Sequence, residues 1–204
     1  MTNKITKKLR GFSLVETLVA VLLLATAVAG PLTLASKSLL AAVVAKDQIT
    51  AFFLAQDAVE YVRFLRDTNR LRGGNWLTGV GASPAGFNLT PCLGSTGCYL
   101  DSTGNNLDVS SNIAACTQND CLTAAGATSG SGSKPLRYNS TSSRFTYVVT
   151  ASGQVITQTI FVRSVKVVES VDEREAKITV KVFWNDPGGK QRSVVVEEAM
   201  FNWQ

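Results

Sequence analysis

Histidine is absent from the 204 residues. The absence removes the commonest general base and metal ligand, and with it every Ser-His-Asp or Cys-His arrangement. No nucleophile-base pair, metal-ligand cluster or phosphate-cradling loop appears in what remains, so an enzyme is the least supported class. Excess charge is confined to one place. Of 20 basic residues against 15 acidic ones, Lys4, Lys7, Lys8 and Arg10 all precede Gly11 with no acid among them. Without those four, 16 basic residues face 15 acidic ones, and no basic stripe with interleaved aromatics is left. This argues against nucleic acid as a partner. Cysteine is scarce as well: Cys92, Cys98, Cys116 and Cys121 are the four, all in the middle of the chain.

The long apolar run is at the front. Residues 12–35, FSLVETLVAVLLLATAVAGPLTLA, carry a single charge, Glu16. At 1.5 Å per residue this segment extends about 36 Å as a helix, enough for a hydrocarbon core of about 30 Å. The preceding positive charges predict a cytoplasmic N-terminus and an extracytoplasmic remainder, a single-pass arrangement. Leu40, Val44, Ala51, Leu54, Ala58, Val62 and Leu65 then recur at helical spacings, while Lys46, Asp57, Glu60, Arg63 and Asp67 fall largely on other faces. Gly73-Gly74 ends the pattern. A helix from residue 12 to about 70 would be roughly 85–90 Å long, with its second half packed on a head. Gly30-Pro31 is expected to interrupt it, because proline has no amide hydrogen and crowds the preceding turn.

Residues 73–144 turn rich in Gly, Ser, Thr and Asn and read as loops. The final stretch, 145–204, reads as antiparallel strands. Ile178, Val180, Val182 and Trp184 alternate with polar partners, Asn185-Asp-Pro-Gly-Gly189 supplies a turn, and Arg192 to Trp203 returns. Phe145–Ala151 and Ile156–Val168 give two more strands. The expected fold is α+β: one long N-terminal helix, transmembrane in 12–35 and amphipathic in 36–72, packed on an antiparallel sheet of about four strands.

The string KKLRGFSLVETLVAVLLLATAVAGPL at 7–32 resembles the N-terminus of type IV prepilins and type II secretion pseudopilins. The resemblance rests on the basic leader, the Gly11-Phe12 junction, and Glu16 as the fifth residue beyond it. It implies a pilin-like fold and removal of residues 1–11 by prepilin peptidase, with methylation of the new amine on Phe12. It also implies that Glu16 neutralises that amine on a neighbouring subunit, since a carboxylate in a membrane span is costly without a partner. The implied partners are prepilin peptidase, other pilin subunits, an inner-membrane assembly platform and, before assembly, membrane lipid. More loosely, AFFLAQDAVEYVRFLRD at 51–67 and KITVKVFWNDPGGKQRSVVVEEAMFNW at 177–203 look like minor pilins of the pilus-modification (PilV) type. One departure is that many major pilins carry Gly where this chain has Ala25, and Pro two residues beyond Pro31. A rival reading is an ordinary secreted or anchored domain, because Ala27-Val-Ala29 satisfies the small-x-small rule of a leader peptidase cutting before Gly30.

With export expected, the cysteines read as disulfides in one of three connectivities, and their spacing fits a zinc site poorly. Asp101, Asn105, Asn106 and Asp108 lack the spacing of a calcium loop. Glu197 and Glu198 are adjacent, so on a strand they face opposite sides and make no carboxylate pair. No cofactor is expected.

Overall fold

A computed structural model describes residues 11–83, 86–103, 113–116, 134–147, 153–170 and 173–202. The described elements are α1 (Leu14–Leu71), α2 (Thr90–Leu93), β1 (Cys98–Leu100), β2 (Ile113–Ala115), β3 (Arg137–Asn139), β4 (Arg144–Thr146), β5 (Ile156–Gln158), β6 (Val162–Glu169), β7 (Glu175–Asn185) and β8 (Gln191–Phe201). The chain divides into two units, residues 1–43 and 44–204.

In the first unit every described side chain is exposed. Ser13 caps α1: its carbonyl accepts the Thr17 amide and its Oγ accepts the Glu16 amide, at 3.2 Å each. Thr17, Thr26 and Thr33 donate their hydroxyls to the carbonyls of Leu14, Leu22 or Leu23, and Gly30. Each hydroxyl residue of 12–35 is thus bonded to its own backbone, as a solvent without hydrogen-bonding capacity requires. α1 runs through Gly30 and Pro31 without ending, which corrects the expected interruption. Pro31 removes one amide donor, but the bonds of the flanking turns hold, so the pair marks a local gap in the ladder inside a continuous helix.

The second unit is built on the last part of α1. Ala51, Leu54, Ala55, Ala58, Val59, Val62 and Leu65 are buried on one stripe, whereas Leu40, in the first unit, is exposed. Gly73 ends the helix in a Schellman arrangement: at φ 75° it donates to the Arg70 carbonyl while Gly74 donates to the Asn69 carbonyl. The helical stripe shares one core with Val165, Val167, Ile178, Val180, Val182, Trp184 and Met200. Each fully buried aliphatic side chain contributes about 1.5–3 kcal/mol.

The α+β expectation holds in its broad form, with a different strand count. An antiparallel five-stranded sheet has the order β2-β1-β6-β7-β8, and a separate three-stranded sheet has the order β4-β3-β5. Three of these strands, β1, β2 and β3, come from the region expected to be loops. They are three residues each, too short to leave a periodic signal. The run expected as one strand from Ile156 to Val168 is two, because Thr159 Oγ1 donates to the Leu136 carbonyl and accepts the Phe161 amide, turning the chain from one sheet into the other.

Candidate functional site

Polar chemistry is concentrated in two places, the N-terminal segment singled out from sequence and a cluster inside the second unit. Gly11 and Phe12 lie ahead of the helix in non-helical backbone, and Phe12 is 80% exposed. The junction is accessible and has a small residue on one side. Glu16 sits in the first turn of α1, where a carboxylate is favoured by the helix dipole. Together with Ser13 it forms the S-x-x-E pattern of a capping box, a signal legible in the sequence and missed there. No ion pair to Glu16 occurs among the described residues, and the leader cations Lys4, Lys7, Lys8 and Arg10 lie outside them. α1 is long and apolar enough to cross a membrane, with a mean hydropathy of 2.3 over its best window.

The cysteines resolve in part. Cys92, in α2, is bonded to Cys98, the first residue of β1. That pairing excludes the other two of the three connectivities. Cys116 is also disulfide-bonded, whereas Cys121 lies outside the described residues. Gly97, just before the bridge, has φ 76°, and a Cβ there would meet the Val165 carbonyl at 2.6 Å. The bridge ties α2 to the start of β1, and the close approach at Gly97 sets β1 against β6, where Leu100 and Val165 join the core.

The polar cluster went unseen in the sequence. Arg163 of β6 is 1% exposed, and its guanidinium donates to the Leu54 carbonyl (2.9 Å), Asp57 Oδ2 (2.9 Å) and the Leu100 carbonyl (2.6 Å). One side chain thereby ties α1, β1 and β6 together. Ser102 also donates to Asp57, and Asp101 accepts from the Thr103 amide and hydroxyl, the Thr146 hydroxyl and the Tyr147 amide. Asp101 is saturated by protein donors, which accounts for it without calcium. Asn105, Asn106 and Asp108 lie outside the described residues. The signal for Arg163 was its parity with Val165 and Val167, which puts it on the core face of the strand.

A second polar staple closes the end of α1. Buried Asn69 donates to the carbonyls of Trp76 and Phe87 and accepts the Phe87 amide, and Trp76 Nε1 donates to Glu169. Glu197 and Glu198 do face opposite ways: Glu197 pairs with Lys177 across the outer face, and Glu198 with Arg63 of α1. Those contacts hold the Glu197 carboxyl below its ordinary range, chiefly through the Lys177 hydrogen bond, and raise the Arg63 guanidinium, chiefly through Glu198. No group of three or more His, Cys, Asp or Glu suited to a metal occurs among the described residues.

Tyr147 gives a pH test of this cluster. Burial pushes its hydroxyl up to about 12, against the pull of the Arg163 guanidinium, and the hydroxyl donates to the Arg163 carbonyl at 3.1 Å. The folded state therefore keeps a proton that the unfolded chain releases near pH 10. Stability is full below pH 10, falls as pH rises from 10 to 12, and then levels, a loss of about 3 kcal/mol from this group. Tyr61, raised mainly by burial, acts in the same direction. In urea titrations, the Tyr147→Phe variant is expected to be less stable than the parent at pH 8.5, with the gap narrowing by pH 11.5. A constant gap would refute the assignment.

The chain matches no protein-family model, no curated protein and no solved structure.

Proposed function

We propose that this chain is a minor pilin subunit, cut after Gly11 by prepilin peptidase and assembled through its N-terminal helix into a type IV pilus or a related filament. The observation that carries the reading is the apolar part of α1, with all its side chains exposed, each hydroxyl of 12–35 bonded to backbone, and Glu16 as the lone acid beside the Gly11-Phe12 junction. Such a surface is stable only against lipid or against other helices. The same features suit a type II secretion pseudopilin, which is the second reading. On either reading the protein starts as a single-pass inner-membrane protein with its N-terminus in the cytoplasm.

The rival cut before Gly30 is disfavoured by α1 itself. Ala27, Val28 and Ala29 are helical and lie inside one unbroken element, so they do not offer an extended strand to a peptidase.

Processing supplies the test. Chain recovered from host envelopes is expected to begin at Phe12 with a methylated amine, read by N-terminal sequencing and mass spectrometry. Gly11→Leu, which places a bulky side chain at the scissile bond, is expected to retain the basic leader. A mature start at Gly30 would overturn the proposal.

A further inference from the structure

Glu16 and Lys37 are the only charged residues between the leader and Lys46. They stand on α1 about 32 Å apart along its axis, close to the thickness of a hydrocarbon core of about 30 Å. Everything between them is uncharged, and the hydroxyls of Thr17, Thr26, Thr33 and Ser36 are bonded to backbone carbonyls. With Glu16 at the inner headgroups, Lys37 reaches the outer ones.

The apolar surface continues past Lys37. Leu39, Leu40 and Val43 are 69%, 56% and 42% exposed. From Leu14 to Val43 α1 measures about 45 Å, and fitting that length into a 30 Å core by tilting alone would take about 48°, more than the roughly 40° that spanning helices reach. The helix therefore has a choice of depth. In the shallow register the core takes residues 16–37 and leaves Leu39, Leu40 and Val43 beyond it. In the deep register the helix sinks toward the cytoplasm by about six residues, roughly 9 Å, which buries those three side chains and draws the Lys37 ammonium into hydrocarbon.

We infer that Lys37 is the positioning residue that sets this depth, its ammonium held by the phosphates of the outer lipid headgroups. Lys37 is exposed, has no ion pair among the described residues, and stands between Ser36 and Ser38, whose hydroxyls suit the headgroup zone. Its aliphatic stem lies along apolar surface while the ammonium reaches water and phosphate. A cation drawn into hydrocarbon is costly, and burying Leu39, Leu40 and Val43 does not recover that cost, because the deep register releases Leu14, Val15 and Leu18 on the other side. The four leader cations outnumber Lys37, so the orientation with the N-terminus inside is kept. The shallow register also holds the Gly11-Phe12 junction just inside the inner membrane surface, one turn and a half before Glu16. The inference rests on the membrane span in the proposed function and not on the filament.

Labelling of full-length chain in host spheroplasts with a membrane-impermeant maleimide carries the test, with the parent chain giving the background from its own cysteines. Ser38→Cys, at an exposed position, is expected to label when residue 37 is lysine, to stay within about twofold of that in Lys37→Arg, and to fall about fivefold in Lys37→Leu. Gln48→Cys, exposed and farther along α1, should label in all three, which shows that the rest of the chain is exported and that only the depth has changed. The span itself is read separately. In the Gly11→Leu background, which keeps the leader, Thr2→Cys should label only after the membrane is permeabilised. If Thr2→Cys labels in intact spheroplasts, the membrane span fails and the inference with it. If Thr2→Cys is protected, three results overturn the inference alone: Ser38→Cys that does not label beside Lys37, equal labelling beside lysine and leucine, or a loss beside arginine as large as that beside leucine.

Discussion

Replacing Arg163 with leucine is expected to lower the melting temperature of the detergent-solubilised chain by about 10 °C, corresponding to roughly 3–5 kcal/mol. The loss does not come mainly from the ion pair, since Asp57 is about half exposed, at 48%, and water can take over its solvation. It comes chiefly from the buried Leu100 carbonyl, which takes the shortest of the guanidinium bonds, whereas the Leu54 carbonyl, inside α1, keeps its helical amide and loses only a second donor. An orphaned buried acceptor costs about 1–3 kcal/mol. Arg163→Lys tests the geometry separately from the charge. An ammonium on a flexible stem cannot reproduce a planar fork reaching two elements, so we expect about half the leucine loss to remain. Among the described residues Arg163 Nε has no partner, so this part of the guanidinium adds nothing to the site's hydrogen bonding. A leucine variant that melts with the parent would show that α1, β1 and β6 are held by apolar packing alone.

The parts of the fold visible in the sequence were those whose periodicity runs over many residues. α1 was placed to within two residues at its start, and β7 and β8 were evident from alternation and from the Asp186 turn. That turn is anchored by the Asp186 carboxylate, which accepts the Gly188 and Lys190 amides and whose affinity for protons is lowered mainly by the latter. The strands of three residues were invisible because their pairing is decided by the partner strand and by the Cys92–Cys98 bridge. The polar connections were missed for a different reason. Arg163 and Asn69 look like ordinary polar residues until the elements that supply their partners are in place, and those partners are mostly backbone atoms, which carry no residue signature. At the N-terminus the junction and the acid were read together, yet the cap joining Ser13 to Glu16 was overlooked, and that cap changes how the acid has to be tested.

Glu16→Gln is expected to leave folding, insertion and cleavage at Gly11 intact and to reduce incorporation into sheared filaments by roughly 10- to 100-fold. The reduction corresponds to the roughly 1.5–3 kcal/mol typical of hydrogen bonds to charged groups. Glutamine at this position still serves a capping box, so the Ser13 bond to the residue-16 amide survives and the start of α1 is unchanged. Removing the charge costs at most the helix-dipole contribution, about 0.3–1 kcal/mol, and relieves the desolvation of a carboxylate in lipid. Any large defect must therefore come from the charge acting on something outside the subunit, for which the methylated amine of a neighbouring Phe12 is the proposed group. Ser13→Ala gives the converse. It frays the first turn by about 1 kcal/mol but keeps the carboxylate, so filament incorporation should stay within about twofold of the parent. If the two variants behave alike, Glu16 serves only to start the helix, and the assembly role assigned to it is wrong.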